Sequence, residues 1–462
     1  MSEEVEIPAS SEGAGAGTYD SEGLLIGARQ STSSQMLRND TKPYEQAPSV
    51  PYREERTRWE SAEGARAAVA SAPAMAADTV PRGAPPPRMV FLWESFGPHH
   101  VDRCEACAAH FAGRYQVFGV EVATFDANYQ WRGSVGSEGF SKVTLFPGVV
   151  SQKIGAVRCF FRIVGTCLRL RAKYLFFCNY NLPAVFFSAL LLRLLGRRLV
   201  TMQDSKFDDK PRYLFKEIVK SMLYAPYQAA LAAGARSKAY LTFLGLPEDR
   251  VIVGYDTVSV ERVRALAGTP PAPHGMPHAD RHFTIVARFV PKKNLSLALD
   301  AYAAYVARSP DAPRDLHLCG SGELEAELRQ QAERLNLKGV HFRGYLQEQE
   351  IARVLGSTLA LILPSVEEQH GLVINEALAM GVPVLVSDNC GARDLLVRSG
   401  VNGFVFEPDN AAGLAHFMAI VDEDIDEWTR LASGARQFQH AADTTLFVDA
   451  VEQVLARLAP SR

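Results

Sequence analysis

No apolar run in this sequence reaches the ~20 residues needed to cross a bilayer. The most intense stretch, Pro183 to Leu195 (PAVFFSALLLRLL), stops at roughly 13 and reads as a buried crossover helix. The start, MSEEVEIPAS, is acidic and has no apolar core of a secretory signal, so none is expected. Charge of one sign is also missing: the formal net charge is −3, which provides no basic field for nucleic acid. Cysteines number seven, an odd count, and Cys159, Cys167, Cys178 and Cys319 sit in apolar runs. That usage points to reduced, buried thiols and a cytoplasmic setting. Cys104 and Cys107 form a C-x-x-C, but no second ligand pair follows at zinc-like spacing, so no metal centre is expected there.

The content is ordinary for a globular chain, with 47% hydrophobic residues and a length of 462 that leaves room for two or three domains. Residues 1–88 are the exception. They are rich in Ser, Glu, Gly, Ala and Pro without a sustained apolar period, and end at Pro81 and Pro85 to Pro87. Such a segment buries too little surface to offset its ordering entropy and is expected to be a disordered tail, with local helix around Glu60 to Ala70. Strand-like runs then recur at Met89–Trp93, Tyr115–Val122, Lys142–Phe146, Tyr174–Cys178 and Arg198–Met202, with helical stretches between them. This is the pattern of a parallel βαβ domain, whose first turn holds Gly97 and Pro98 before His99 and His100. One histidine is expected to cap the helix and the other to lie at the surface. Ile154 to Lys173 places Arg158, Arg162, Arg169, Arg171 and Lys173 among apolar residues in helical register, a pattern of a helix lying on an anionic membrane or of an ordinary solvated face. Glu217 to Ala233 reads as helix with a kink at Pro226, and Ala235 to Leu244 as a second helix.

A second series begins after the Pro/Gly/His-rich run Gly268 to Asp280, a linker. It comprises strands at His282–Arg288, Asp315–Cys319, Val340–Leu346, Leu359–Leu363 and Val384–Ser387. The stretch Pro364 to Pro383 (PSVEEQHGLVINEALAMGVP) organises the chain. A buried strand, a short polar loop and a helix from Leu372 to Met380 leave the first helical N–H groups unpaired at the mouth of the turn, where the dipole is positive. Gly371 lets a phosphate approach the backbone. Glu368 and Glu376 beside a phosphate site make electrostatic sense only if they accept hydrogen bonds from hydroxyl groups, as on a ribose and a sugar.

With Pro364-Ser365 before it, Gly371-Leu372-Val373 inside it and Gly381-Val382-Pro383-Val384 after it, this Glu368/Glu376 spacing resembles the E-x7-E element of retaining nucleotide-sugar glycosyltransferases of family 4. The resemblance covers roughly residues 89–460. It implies an α/β protein of two Rossmann-like domains (GT-B) facing across a cleft: an acceptor domain at 89–265, a linker at 266–281, and a nucleotide-sugar-binding domain at 282–430. Helices in 431–462 would cross back to the first domain. By the same resemblance Arg288 and Lys293 match an R-x4-K that clamps the donor diphosphate, and Glu368 holds the transferred sugar. Glu376 holds the ribose, Gly320 and Gly322 lie near the nucleotide, and Tyr345 and Leu346 neighbour the base. Gly371, Leu372 and Val373 complete the donor side, while Gly97, His99, His100 and Asp204 belong to the acceptor side.

Two positions depart from the family pattern. Gln203-Asp204 stands where many members have His-Asp, and Val253 replaces the Asn of an interdomain hinge. The expected activity is transfer of a hexose-type sugar from a nucleoside-diphosphate sugar to a glycan, lipid-linked or small-molecule hydroxyl. No cofactor is expected. No metal is expected either, since two cations already face the diphosphate and no D-x-D is placed to hold one. A nucleotide-sugar epimerase, a phosphorylase-like enzyme and a non-catalytic partner are the competing readings. Expected partners are the donor, the acceptor and, through Ile154 to Lys173, the cytoplasmic membrane surface, without nucleic acid.

Overall fold

The computed structural model describes residues 85–126, 139–178, 181–308 and 312–459. The expected tail and its local helix lie outside them, apart from the few residues that lead into the first strand.

Two parallel sheets carry the architecture. The first takes β1 (Arg88–Trp93), β2 (Gln116–Phe125), β3 (Ser141–Val150), β4 (Tyr174–Phe177), β5 (Arg198–Gln203), β6 (Ala229–Ala232) and β7 (Val251–Val253) in the order β3-β2-β1-β4-β5-β6-β7. Its helices are α1 (Pro98–His110), α2 (Ala156–Arg169), α3 (Pro183–Leu194), α4 (Leu214–Tyr224), α5 (Ala235–Phe243) and α6 (Val260–Ala267). The central strands are buried on both sides, which is why they read as continuous apolar runs rather than alternating ones.

The expectation of a mostly helical Glu217 to Ala233, kinked at Pro226, is wrong for its second half. The helix ends at Tyr224, and Ala229–Ala232 is the fully buried strand β6, paired to β5 and β7. Alanine favours helix by only a few tenths of a kcal/mol over most residues, so tertiary pairing of a buried backbone overrides it once Pro226 has stopped the helix. The expected buried crossover helix at Pro183 to Leu195 is buried on one side only. Ala184, Val185, Ala189 and Leu192 enter the core, whereas Phe187, Leu190, Leu194 and Leu195 face outward.

The second sheet takes β8 (His282–Val286), β9 (Leu316–Cys319), β10 (Val340–Gly344), β11 (Thr358–Leu363), β12 (Val384–Ser387) and β13 (Gly403–Phe406) in the order β10-β9-β8-β11-β12-β13. This is the strand order of a dinucleotide-type Rossmann domain, reversing direction of growth beside β8, where ligands bind beyond the strand carboxyl ends. Helices α7 (Leu295–Arg308), α8 (Glu325–Arg334), α9 (Glu348–Gly356), α10 (Val373–Ala379), α11 (Arg393–Leu396), α12 (Ala411–Glu423) and α13 (Ile425–Ala442) accompany it. The last helix, α14 (Thr444–Leu458), returns to the first sheet, where Phe447, Val451 and Val454 join the core of Met89, Phe91 and Leu231.

Candidate active site

The loops after β8, β9 and β11 converge at the carboxyl end of the second sheet. After β8 the chain makes a 3-10 turn, Pro291–Lys293, closed by Asn294 in the left-handed region at φ 54°. The Asn294 amide donates to Pro364 O at 3.1 Å and Pro408 O at 2.7 Å, which fixes the turn against the loop after β11. Lys293 is thereby brought onto Glu368, and the two form an ion pair with side chains 14% and 13% exposed. Ser365 Oγ donates to the same Glu368 oxygen at 3.1 Å. Arg288, at the start of the loop, is exposed. The β9 turn lies alongside: a Cβ on Gly320 would stand 1.8 Å from Ala287 O, at φ +147°, so no other residue allows this approach of the two loops. Gly322 packs on the Phe289 backbone in the same way, and Tyr345 and the half-buried Leu346 follow β10.

Helix α10 begins at Val373, with Leu372 as its N-cap, one residue shorter at each end than the sequence suggests. Gly371 precedes it at φ +101°, with Leu363 Cδ2 2.8 Å and Cys390 Sγ 3.1 Å from the position of a Cβ. Within the helix, Glu376 is half-buried, and burial lifts its carboxyl to about 7; Arg262 opposes the rise and Asp102 adds to it.

A charged network from the first domain meets this loop, and sequence reasoning did not assign it. Arg103 is fully buried and donates to Asp256 at 3.1 Å and to Thr257 O at 3.2 Å. Asp256 in turn lies 4.0 Å from His370 Nδ1, and His370 Nε2 faces Asn375 Oδ1 at 3.1 Å. The Asn375 amide donates to Asp256 O at 3.0 Å and Ala442 O at 3.2 Å, so α10 is tied to both the β7 loop and the end of α13. Arg262 clamps Asp102 with contacts of 2.6 and 2.9 Å and pairs with Glu348. Arg236 joins Asp394 and Asp208, each at 2.6 Å, and donates to Cys390 O. The available signal was His370 itself, a buried histidine inside the organising stretch; Asp256, Arg236 and Arg262 carry no spacing that sets them apart.

The residues expected on the acceptor side sit at the carboxyl end of the first sheet. His100 is the capping histidine, its Nδ1 accepting from the Gly97 N–H at 3.0 Å while its ring stacks on Trp93. His99 is half-buried rather than a surface residue. Burial, with Arg103 and Arg262 nearby, holds it well below the usual histidine range. Asp204 is half-buried on the loop after β5, and its carboxyl is held well above the ordinary range, first by burial and then by Asp256, with Glu368 contributing.

Residues 270–438 match the family Glycosyl transferases group 1. Glycogen synthase of Mycobacterium tuberculosis is 36% identical over 123 residues, covering 26% of this chain and 30% of that protein. D-inositol 3-phosphate glycosyltransferase of a Nocardioides species is 30% identical over 194 residues, covering 38% and 42%. Phosphatidyl-myo-inositol mannosyltransferase of Mycobacterium leprae is 28% identical over 188 residues, covering 40% and 49%. The chain thus spans less than half the length of these curated relatives. Among solved structures, Anabaena HepE in complex with UDP aligns with a TM-score of 0.59 at 20% identity, over 80% of this chain and all of that one. Sucrose-phosphate synthase of Thermosynechococcus elongatus aligns with a TM-score of 0.60 at 16% identity, over 80% and 99%. These likenesses establish the GT-B fold, two Rossmann-like domains built on sheets of seven and six strands.

Proposed function

We propose that the protein is a retaining glycosyltransferase that moves a hexose-type sugar from a nucleoside-diphosphate sugar to a hydroxyl of a glycan, lipid-linked or small-molecule acceptor. The observation that carries this reading is the Lys293–Glu368 ion pair, supported by Ser365, beside the side-chain-free turn at Gly371. The ammonium is partnered by the Glu368 carboxylate. An arriving diphosphate takes over Lys293 and leaves Glu368 free to accept from sugar hydroxyls. As the bond to the anomeric carbon loosens, negative charge grows on the departing diphosphate, where Lys293, Arg288 and the α10 entrance stabilise it. The acceptor proton passes to the leaving phosphate, and neither a protein nucleophile nor a metal takes part in the transfer. HepE, whose structures hold UDP and UDP-glucose, supports a donor of this class through its shared fold.

Glu376 gives the donor test a pH signature. A carboxyl at about 7 is protonated at pH 6, and it must ionise to accept two ribose hydroxyls. The affinity for a nucleotide sugar therefore rises about tenfold from pH 6 to pH 8 and is flat above, by proton linkage. Thermal shift with UDP-, GDP- and ADP-sugars at both pH values checks this, since a ligand specific to the folded state raises the Tm. Glu376→Gln should abolish the pH dependence. Failure of every nucleotide sugar to stabilise the protein would overturn the functional reading itself. An epimerase is distinguished by product analysis, because it releases a changed free donor without an acceptor.

Peripheral contact with an anionic, cytoplasmic membrane surface belongs to the same reading, but through more than Ile154 to Lys173. No helix among the described residues is long and apolar enough to cross a membrane. Helices α2, α3 and α4 cover one side of the first sheet, yet Phe161, Leu194, Leu214, Phe215 and Met222 are each between 65% and 77% exposed. Helix α4 is close to inside out: its buried side chains are Glu217 and Tyr224, with Glu217 bonded to Lys220 at 2.9 Å and Tyr240 at 2.5 Å. From residue 139 to residue 203 the chain contains no Asp or Glu, and Arg158, Arg162, Arg193 and Arg197 lie near Phe161 and Leu194 in sequence, with Lys216 beside Phe215. An apolar patch of this kind normally covers something, and its basic surround fits anionic headgroups. The protein should co-sediment with phosphatidylserine vesicles but not with phosphatidylcholine vesicles, and Phe215→Glu with Met222→Glu should abolish this. Equal recovery with both lipids would remove the membrane from the reading.

A further inference from the structure

We propose that Asp315, His317 and His341 form a binding site for a Zn2+-type divalent transition-metal ion at the edge of the second sheet. The site lies at the amino ends of β9 and β10, whereas the candidate donor site lies beyond the carboxyl ends of the same strands. The register creates it. His341 of the edge strand β10 is paired directly with His317 of β9, so their side chains leave the sheet on the same side. Asp315 precedes His317 by two positions and shares that side. Leu316, Leu318 and Phe342, the alternating neighbours, turn into the core beneath α7 and α8.

One ligand atom from each of the three residues lies within 4.8 Å of the others, and His341 Nε2 is 3.0 Å from Asp315 Oδ2. A tetrahedral ion with bonds of ~2.0 Å spaces its ligands ~3.3 Å apart, so small side-chain rotations close the set and leave the fourth position to water. A second observation points the same way. His317 Nδ1 is enclosed and has no hydrogen-bond partner among the described residues, a cost for a buried polar atom. His282 of β8 stacks on the His317 ring with centroids 3.7 Å apart and is itself oriented by Ser357 Oγ at 3.0 Å and Thr284 Oγ1 at 3.1 Å. These contacts limit how far the His317 ring can turn.

The donor set decides the class of ion. Two imidazoles and one carboxylate suit Zn2+, Co2+ or Ni2+, whereas Mg2+ and Ca2+ favour sites made of oxygen alone. A metal takes the lone pair of a neutral imidazole, which both histidines can offer. Arg343 is the nearby cation that opposes a divalent ion, and the Asp315 carboxylate offsets it. The ion would join edge strand β10 to β9. No metal ligand was expected from the sequence, because the three residues come from two strands and follow no metal-binding spacing.

Titration of the full, untagged chain with Co2+, followed by its visible d–d absorption and by displacement with Zn2+, tests the site. Expected is one saturable equivalent, with a rise in Tm on Zn2+ addition. His341→Gln changes an exposed side chain and should leave the fold intact. Both it and His317→Ala should weaken binding at least as much as the roughly 10–100-fold that losing an outer-shell partner costs. Nucleotide-sugar binding should be unchanged in both. Absence of saturable binding, or affinity undiminished in both variants because the ion rests on other histidines or thiols, overturns the proposal.

Discussion

Lys293→Ala should lower turnover by a factor of roughly 10²–10³, the usual consequence of removing one preorganised group aimed at charge that develops in the transition state. Its ammonium is fixed before the donor arrives, through the 3-10 turn, the Asn294 clamp and the pair with Glu368. Positioning at the leaving diphosphate therefore costs little reorganisation. The Tm should move by no more than a few degrees, since the pair lies at the cleft surface rather than in the core. Lys293→Arg should recover only part of the activity, because a planar fork does not occupy the place of a compact ammonium. Single-turnover kinetics with saturating donor separate this from a loss of binding. A variant with unchanged turnover would take Lys293 out of the chemistry.

Arg103→Ala is expected to have the largest effect on stability, about 3–5 kcal/mol, the typical cost of stranding one member of a buried ion pair. The guanidinium is fully buried, bonded to Asp256 and Thr257 O, and packed over the rings of Tyr255 at 4.8 Å and Phe447 at 5.9 Å. It therefore joins α1, the β7 loop and α14. Without it Asp256 is left in a buried setting with His370 at 4.0 Å, whose charged form burial disfavours. Urea unfolding checks the prediction, and a loss below about 1 kcal/mol would show that water enters and solvates Asp256. Arg103→Lys should fare little better, because one ammonium cannot reach both acceptors and also stack.

The candidate donor half of the site was legible because its residues are local in sequence. Pro364, Ser365, Glu368, Gly371 and Glu376 fall within one strand–loop–helix, and Lys293 follows the strand that neighbours it in the sheet. The strands were legible because a doubly covered parallel sheet demands continuous apolar runs. β6 was not, since three alanines and a leucine after a proline carry no period that separates strand from helix. The exposed side of α3 and α4 was hidden for a related reason: an apolar helix looks the same in sequence whether it is enclosed or turned outward.

What the sequence determined on its own is the order of the two βαβ series, the loop that gathers Glu368, Gly371 and Glu376, and the shortness of its apolar runs against the ~20 residues of a spanning helix. These depend on neighbours in the chain, where spacing and side-chain type suffice. Tertiary structure alone decided that Arg103, Asp256, His370 and Asn375 would meet, that Arg262 would face Glu376, and that His317 would stand beside His341. Each of those contacts joins residues from different elements. The register and packing that bring them together come from burying the two sheets, an energy summed over the whole molecule and not readable at any one position.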